Sequence, residues 1–152
     1  MAKTRDNITT GTAGVFHVAA ALSIRGIIVT LTLRNARGID LFASDGSKSV
    51  MIQVKTSSRK KREWQLDKKI ETENSPDLLF LFVDLGHIDE IPDFYIVPSG
   101  IVADYCKSKT ADWINATSGE QKQKREKLAM RKFRDKENKY LNRWDFLGLK
   151  IK

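Results

Sequence analysis

The sequence predicts an α/β fold, a mixed central sheet of about five strands flanked by helices. Three observations support this prediction. A stretch with helical apolar spacing comes first in the chain, apolar and β-branched segments follow it, and a capped helical segment comes after the last of these. Because strands as apolar as these need cover on both faces, helices are expected to pack against the sheet.

Length and composition indicate one globular domain over residues 1–152. Hydrophobic side chains make up 41% of the 152 residues and charged ones 30%, which excludes a disordered tail and a fibrous repeat. Lys and Arg number 27 against 19 Asp and Glu, and the net charge of +8 favours polyanionic partners. Charge alone does not distinguish nucleic acid from an acidic membrane surface.

The cysteine content and the N-terminus suggest where the protein works. Cys106 is the single cysteine, so it cannot form an internal disulfide or assemble a thiolate metal site alone. Residues 1–7 lack the apolar core of a signal peptide, and no window reaches the roughly 18 apolar residues of a membrane span. We therefore expect a cytoplasmic protein without membrane association.

The first element is a predicted helix over Thr10–Arg25. Apolar residues from Val15 to Leu22 recur at i, i+3, i+4 and i+7, which is one helical face. Gly26 follows as a residue suited to the left-handed conformation that ends many helices.

Apolar or β-branched composition predicts the strands. They are Ile27–Leu33, Ile39–Ala43, Val50–Thr56, Leu78–Leu85 and Phe94–Val97. The second and third are joined by Asp45-Gly46-Ser47, a hairpin signal. A helix capped by Ser99 is expected to about Ser108, and the charged remainder from about 119 is predicted to be a mostly helical, basic C-terminal extension.

Three polar side chains interrupt the apolar hairpin. With its loop at residues 46–47 Asp40 lies opposite Gln53, and with the loop one residue earlier it lies opposite Met51. Side chains alternate along a strand, so either register puts Asp40 on the face of Gln53 and Lys55. The sequence therefore predicts that an acid, an amide and an amine converge on one side of the sheet.

This trio suits metal-assisted cleavage of a phosphodiester. Asp40 would be the principal ligand of Mg²⁺ or Mn²⁺, with the Gln53 amide oxygen and the Val54 carbonyl as further oxygen ligands. Lys55 would orient the attacking water or stabilise developing negative charge. The alternative is a purely structural cross-strand ion pair between Asp40 and Lys55.

The two strands also carry a family resemblance. Gly38-Ile39-Asp40-Leu41, followed after a short hairpin by Ile52-Gln53-Val54-Lys55-Thr56-Ser57, resembles the motif of the PD-(D/E)xK nuclease superfamily. The likeness covers roughly residues 10–100, and the Phe94–Ser99 segment resembles small stand-alone bacterial members. It implies a restriction-endonuclease-like or Holliday-junction-resolvase-like core, Mg²⁺-dependent cleavage of DNA, and a homodimer as one assembly. Asp40 matches the aspartate of that family and Lys55 its lysine.

Two positions depart from the family pattern. Gln53 stands where Glu or Asp is usual, and Val15 follows Gly14 where members often have a glutamate. His17 is the nearest polar candidate to replace that acid, although a lone histidine beside an apolar helix face is more often structural. A single carboxylate implies weak Mg²⁺ affinity.

Basic residues near the predicted site are candidates for contact with nucleic acid. They are Arg37 before the second strand and Arg59, Lys60, Lys61 and Arg62 after the third. Trp64 follows them, and basic side chains with an aromatic neighbour can follow a phosphate backbone and stack on a splayed base. The alternative for this run is a solvated loop.

Three functions remain open from the sequence. The first is a metal-dependent DNA endonuclease that hydrolyses phosphodiester bonds. The second is a catalytically weak or inactive nuclease-fold module that binds nucleic acid or a protein partner. The third is a structural component of a larger defence or repair complex. Residues 120–143, with ten basic and four acidic side chains, would form either a loosely docked helix or hairpin that arranges itself on a partner or a plain exposed helix.

Overall fold

The structure is a computed structural model that describes residues 6–33, 38–58 and 60–152. Its helices are α1 (Asn7–Ile24), α2 (Ser99–Asn115) and α3 (Gly119–Glu126), with 3₁₀ turns at Lys68–Thr72 and Trp144–Leu147. Its strands are β1 (Ile28–Leu31), β2 (Leu41–Ser44), β3 (Ser49–Ser57), β4 (Glu63–Asp67), β5 (Leu78–Asp84), β6 (Asp93–Pro98) and β7 (Met130–Arg134).

Five strands form the central sheet in the order β1-β2-β3-β5-β6. The β3–β5 pair is parallel and the other pairs are antiparallel, so the sheet is mixed, as predicted. All seven residues of β5 are buried, which explains the uninterrupted apolar run of that segment. The predicted fold class is confirmed.

Helix α1 covers one face of the sheet. The carboxylate of Asp6 caps it by accepting from the N–H groups of Ile8 and Thr9, at 2.9 and 2.8 Å. A Cβ atom at Gly14 would lie 1.8 Å from Oγ1 of Thr56 on β3. Glycine at this position therefore lets the helix backbone approach the strand next to Lys55.

A two-stranded ribbon of β4 and β7, together with α2, covers the opposite face. Here the prediction of a mostly helical C-terminal extension is wrong, because the chain after α3 forms β7 and pairs with β4. Trp64 and Phe133 project from the ribbon into the core, and Phe133 stacks on Phe82 with ring centroids 4.6 Å apart. Arg131 is also buried in the ribbon, where it pairs with Glu71.

Helix α2 extends to Asn115, seven residues beyond the predicted end near Ser108. The added turns contain no glycine or proline, and most of their side chains are exposed, so no apolar pattern marked them as helix. Because the helix continues to Asn115, Trp113 lies on α2.

Residues near the C-terminus and the single cysteine are buried. Tyr140, Trp144 and Leu147 pack into the core, and burial raises the pKa of the Cys106 thiol to about 11. Within the described residues, no helix has both the length and the apolar character to cross a membrane.

Strand β1 forms one edge of the central sheet. Ile28 and Leu31 on this strand are largely exposed. From residue 7 to residue 33, which spans α1 and β1, the sequence contains one charged side chain, Arg25. These two elements are therefore almost uncharged.

Candidate functional site

The β2–β3 hairpin fixes the register on which the predicted site depends. Ser44 pairs with Ser49 and Leu41 with Ile52, which corresponds to the loop at residues 46–47. Gly46 adopts φ +95°, a left-handed conformation that suits glycine. The first of the two alternative registers is the one that forms.

Asp40 lies just before β2, where the ladder between β2 and β3 ends. Its own N–H donates to the carbonyl of Ile52 at 2.9 Å, and its Oδ2 accepts from the N–H of Val54 at 2.7 Å. The carboxylate thus takes the position of a main-chain acceptor for β3. It therefore lies at the edge of that strand, close to the plane of the sheet.

Burial and charge act in opposite directions on Asp40. Desolvation raises the pKa of its carboxyl above the ordinary 3.8, while the hydrogen bond from Val54 and the positive charge of Lys55 lower it, and the net shift is upward. An ionised Asp40 is therefore costly here and would be stabilised by a bound cation.

Gln53 and Lys55 line one cavity of about 630 Å³ between the sheet and the ribbon. Asp40 and Val54 line a second cavity of about 520 Å³ between the sheet and the N-terminal half of α1. Gly38 borders both cavities. The structure thus brings Gln53 and Lys55 into one cavity and puts Asp40 in the adjacent one, whereas the sequence predicted one shared face.

Gly38 connects the two cavities through a close contact. It has φ +77°, and a Cβ atom at this position would lie 3.5 Å from Nε2 of Gln53. The backbone that leads into Asp40 therefore passes directly beside the Gln53 amide. This contact limits the distance between the side chains of Asp40 and Gln53.

Two acids on the far wall were missed by the sequence analysis. Asp67 at the end of β4 and Glu73 after the 3₁₀ turn line the cavity of Gln53 and Lys55. The alternation of polar and apolar residues over Glu63–Asp67 was the available signal for a strand there. On the other side, His17 is exposed on α1 and does not line the cavity of Asp40.

The oxygen donors at this place fit a hard divalent cation by type. Asp40 offers a carboxylate, Gln53 an amide oxygen and Val54 a main-chain carbonyl, and Mg²⁺ often uses one or two carboxylates together with water and substrate phosphate. No cluster of three or more His, Cys, Asp or Glu side chains suited to a metal occurs among residues 6–33, 38–58 and 60–152. The donor set therefore suits a weakly held ion.

The basic run after β3 is partly structural. Arg37 and Arg59 lie outside the described residues. Lys60 forms an ion pair with Glu90, and Arg62 donates to the carbonyl of Lys136 at 2.9 Å. Lys61 is exposed in the same segment.

Trp64 does not have the predicted role of stacking on a base. It is 2% exposed, and its indole N–H donates to the carbonyl of Val83 at 3.0 Å. Side chains alternate along β4, so Trp64 points inward. There it packs against Phe82 and Tyr95 and fills the space between the two sheets.

Comparison with known proteins relates the chain to a solved nuclease structure. Among solved structures, the chain is similar to a bacterial homing endonuclease, I-Ssp6803I, with a TM-score of 0.54 over 95% of this chain and 94% of that one. Neither the known family profiles nor the curated proteins contain a match to this sequence. The sequence identity to the homing endonuclease is 13%, so the likeness shows a shared fold.

Proposed function

We propose that the chain is a divalent-metal-dependent DNA endonuclease of the PD-(D/E)xK type. The observation that carries this proposal is the arrangement around the end of the β2–β3 ladder. A partly desolvated carboxylate lies there at the edge of β3, and an amide and an ammonium group of the same strand line the adjacent cavity. The fold shared with a homing endonuclease supports the same assignment.

Each side chain has a distinct task in this proposal. Asp40, the Gln53 amide oxygen and the Val54 carbonyl would hold the cation. Lys55 would orient the attacking water or stabilise the charge that develops on the phosphate. When bound, the cation supplies Lewis-acid activation of the phosphodiester and of a water molecule. Lys60, Lys61 and Arg62, together with Arg37 and Arg59, would contact the phosphate backbone.

The proposal is tested by metal-dependent nicking of plasmid DNA. The wild-type protein is expected to nick DNA in Mg²⁺ or Mn²⁺, and Asp40→Ala and Lys55→Ala are each expected to lose this activity. Asp89→Ala, which changes an exposed acid in the β5–β6 loop, is the matched control and should cut normally. Cleavage that survives both site substitutions would show that these residues do not catalyse it.

A second candidate function is a nuclease-fold module that binds DNA without cutting it. The observation in its favour is the single carboxylate among the proposed ligands, which limits the affinity for a cation. Binding of DNA that weakens steeply with salt, without nicking in either metal, would support this alternative. The homodimer implied by the family resemblance is part of the leading proposal, and analytical ultracentrifugation with and without DNA tests it.

A further inference from the structure

A third cavity, of about 380 Å³, lies between α2 and β7, away from the proposed catalytic residues. We name it the Trp113 cavity. Its lining residues are Tyr105, Lys109, Thr110, Trp113, Leu128, Met130, Arg131, Lys132 and Arg134. Its volume falls in the range of small-ligand pockets, which begins at about 300 Å³.

We propose that the Trp113 cavity binds an unpaired nucleobase of a single-stranded or distorted nucleic acid. Trp113 and Tyr105 give it aromatic surface, and Leu128 and Met130 add apolar surface that is about half exposed. Among the described lining residues four are basic and none is acidic. Aromatic surface beside cations is the combination that proteins use to stack a base while neutralising its phosphate.

Three of the four cations that line the cavity already have acidic partners. Glu63 pairs with Lys132 at 2.7 Å and with Arg134, and Glu71 pairs with Arg131. Lys109 has no ion-pair partner among the described residues. This lysine is therefore the cation expected to contact a phosphate.

The indole of Trp113 is partly exposed, and a cation covers one of its faces. It is 43% exposed, and the guanidinium of Arg125 lies over its ring, 4.4 Å from the centroid. Arg125 adds a second cation at the indole. In a paired duplex both faces of each internal base are covered by stacking, so an indole stacks most readily on a base that is unpaired or has left the duplex stack.

The position of the cavity connects it to the proposed catalytic site. Asp67 lines the cavity of Gln53 and Lys55, and its β-ladder partner Met130 lines the Trp113 cavity. Paired strands are about 4.8 Å apart, so both cavities border the same end of the ribbon. A base site here would add to the proposed function the form of nucleic acid that the protein binds. Its link to cleavage rests on the proposed endonuclease function.

The test compares a single-stranded oligonucleotide with an abasic one of equal length and charge, both in EDTA. Trp64 and Trp144 are buried, so a change in tryptophan emission reports Trp113. We expect the base-bearing strand to quench this emission and to bind about 5-fold to 100-fold more tightly than the abasic strand, the range expected for stacking of one base. Equal affinity for the two strands would overturn the base site.

Substitutions then assign the preference to the cavity. Trp113→Ala is expected to remove the preference for the base-bearing strand, measured by anisotropy of labelled oligonucleotides, and Trp113→Phe to retain most of it. Lys109→Ala should weaken binding more than Lys107→Ala, an equal loss of charge on the same helix outside the cavity lining. Retention of the preference by Trp113→Ala, with its circular dichroism unchanged, would overturn the inference.

The two proposals fail separately. Nicking of plasmid DNA that depends on Asp40 would support the endonuclease even if the base-bearing and abasic strands bound equally. Base-dependent quenching of Trp113 would support the base site even if the protein cut nothing. Absence of binding to either oligonucleotide would overturn the base site and leave the nicking assay as the test of the endonuclease.

Discussion

At the scale of single residues, the surroundings of Asp40 favour binding of a cation more than they favour stability of the fold. Its carboxylate accepts a hydrogen bond from β3, yet desolvation still raises its pKa. Between the pKa of the unfolded chain and the raised folded value, the folded protein binds more protons than the unfolded one. The free energy of unfolding therefore falls as pH rises through this window.

Asp40→Asn is accordingly expected to be more stable than the wild type at pH 7 in EDTA, and to be unable to nick DNA. The amide keeps an oxygen for the Val54 N–H and removes the buried charge. Thermal unfolding followed by circular dichroism measures the difference, which should shrink as the pH falls below the window. A variant no more stable than the wild type at pH 7 would contradict this account of the carboxylate.

Gly14 provides a second test at this scale. Gly14→Ala introduces a Cβ where Thr56 already lies, so we expect a loss of about 1–3 kcal/mol of stability. Gly11→Ala on the same helix meets nothing within 4 Å and should gain about 0.5–1 kcal/mol from helix propensity. Urea unfolding of both variants measures the contrast, and equal effects would refute a tight crossing of α1 over β3.

At the scale of elements, the hairpin loop holds the C-terminus in place through Asp45. Its carboxylate accepts from the N–H of Lys150 and from the N–H groups of Lys48 and Ser47 in its own loop. These bonds, with the one from Lys150 largest, hold the pKa of Asp45 far below its usual range. The loop and the last residues of the chain are therefore joined by one ionised side chain.

The ionised Asp45 adds to the free energy of unfolding at pH values above the pKa that its carboxyl has in the unfolded chain. This contribution is lost as the pH falls from that pKa toward the lower pKa of the folded state. We expect Asp45→Asn to lower the urea midpoint at pH 7 and to bring the variant closer to the wild type near pH 3. A constant difference between the two proteins across this range would contradict the assigned role.

The elements also show what the sequence could predict. The five strands of the central sheet were predicted from their apolar and β-branched composition, which records burial on both faces in β5 and β6, and the turn residues fixed the hairpin. Strands β4 and β7 were missed because half of their residues face solvent and are charged. In β7 an inward position is held by Arg131, which is buried only because Glu71, about 60 residues away in the chain, pairs with it.

The candidate site, like the fold, could be predicted from the sequence only in part. The register that relates Asp40 to Gln53 follows from the loop, whereas the separation of Asp40 from the cavity of Lys55 does not. That separation arises where the ladder ends and the carboxylate turns to the Val54 N–H. The alternation over Glu63–Asp67 could have indicated β4, but its pairing with β7, about 65 residues away, which sets Asp67 on the cavity wall, has no local sign.

At the scale of the whole molecule, the aromatic cluster between the two sheets joins the ribbon to the core. Phe133 is fully buried and contacts Phe82, Trp64 and Tyr105. Phe133→Ala is expected to cost about 3–5 kcal/mol. Phe16→Ala, the same change at a residue that is 58% exposed, should cost far less. Urea titration measures both, and similar losses would mean that the ribbon is not held by this cluster.

The uneven placement of charge has a consequence for how the molecule meets its target. The α1 side carries one charge between residues 7 and 33, while the segment 120–143, which includes β7 on the opposite face, has a surplus of six positive charges. Helix α1 and strand β1 therefore differ strongly in charge from the segment 120–143. A nucleic acid attracts the segment 120–143 more strongly than α1 and β1, so encounters that begin at this segment are favoured and are fastest in dilute electrolyte.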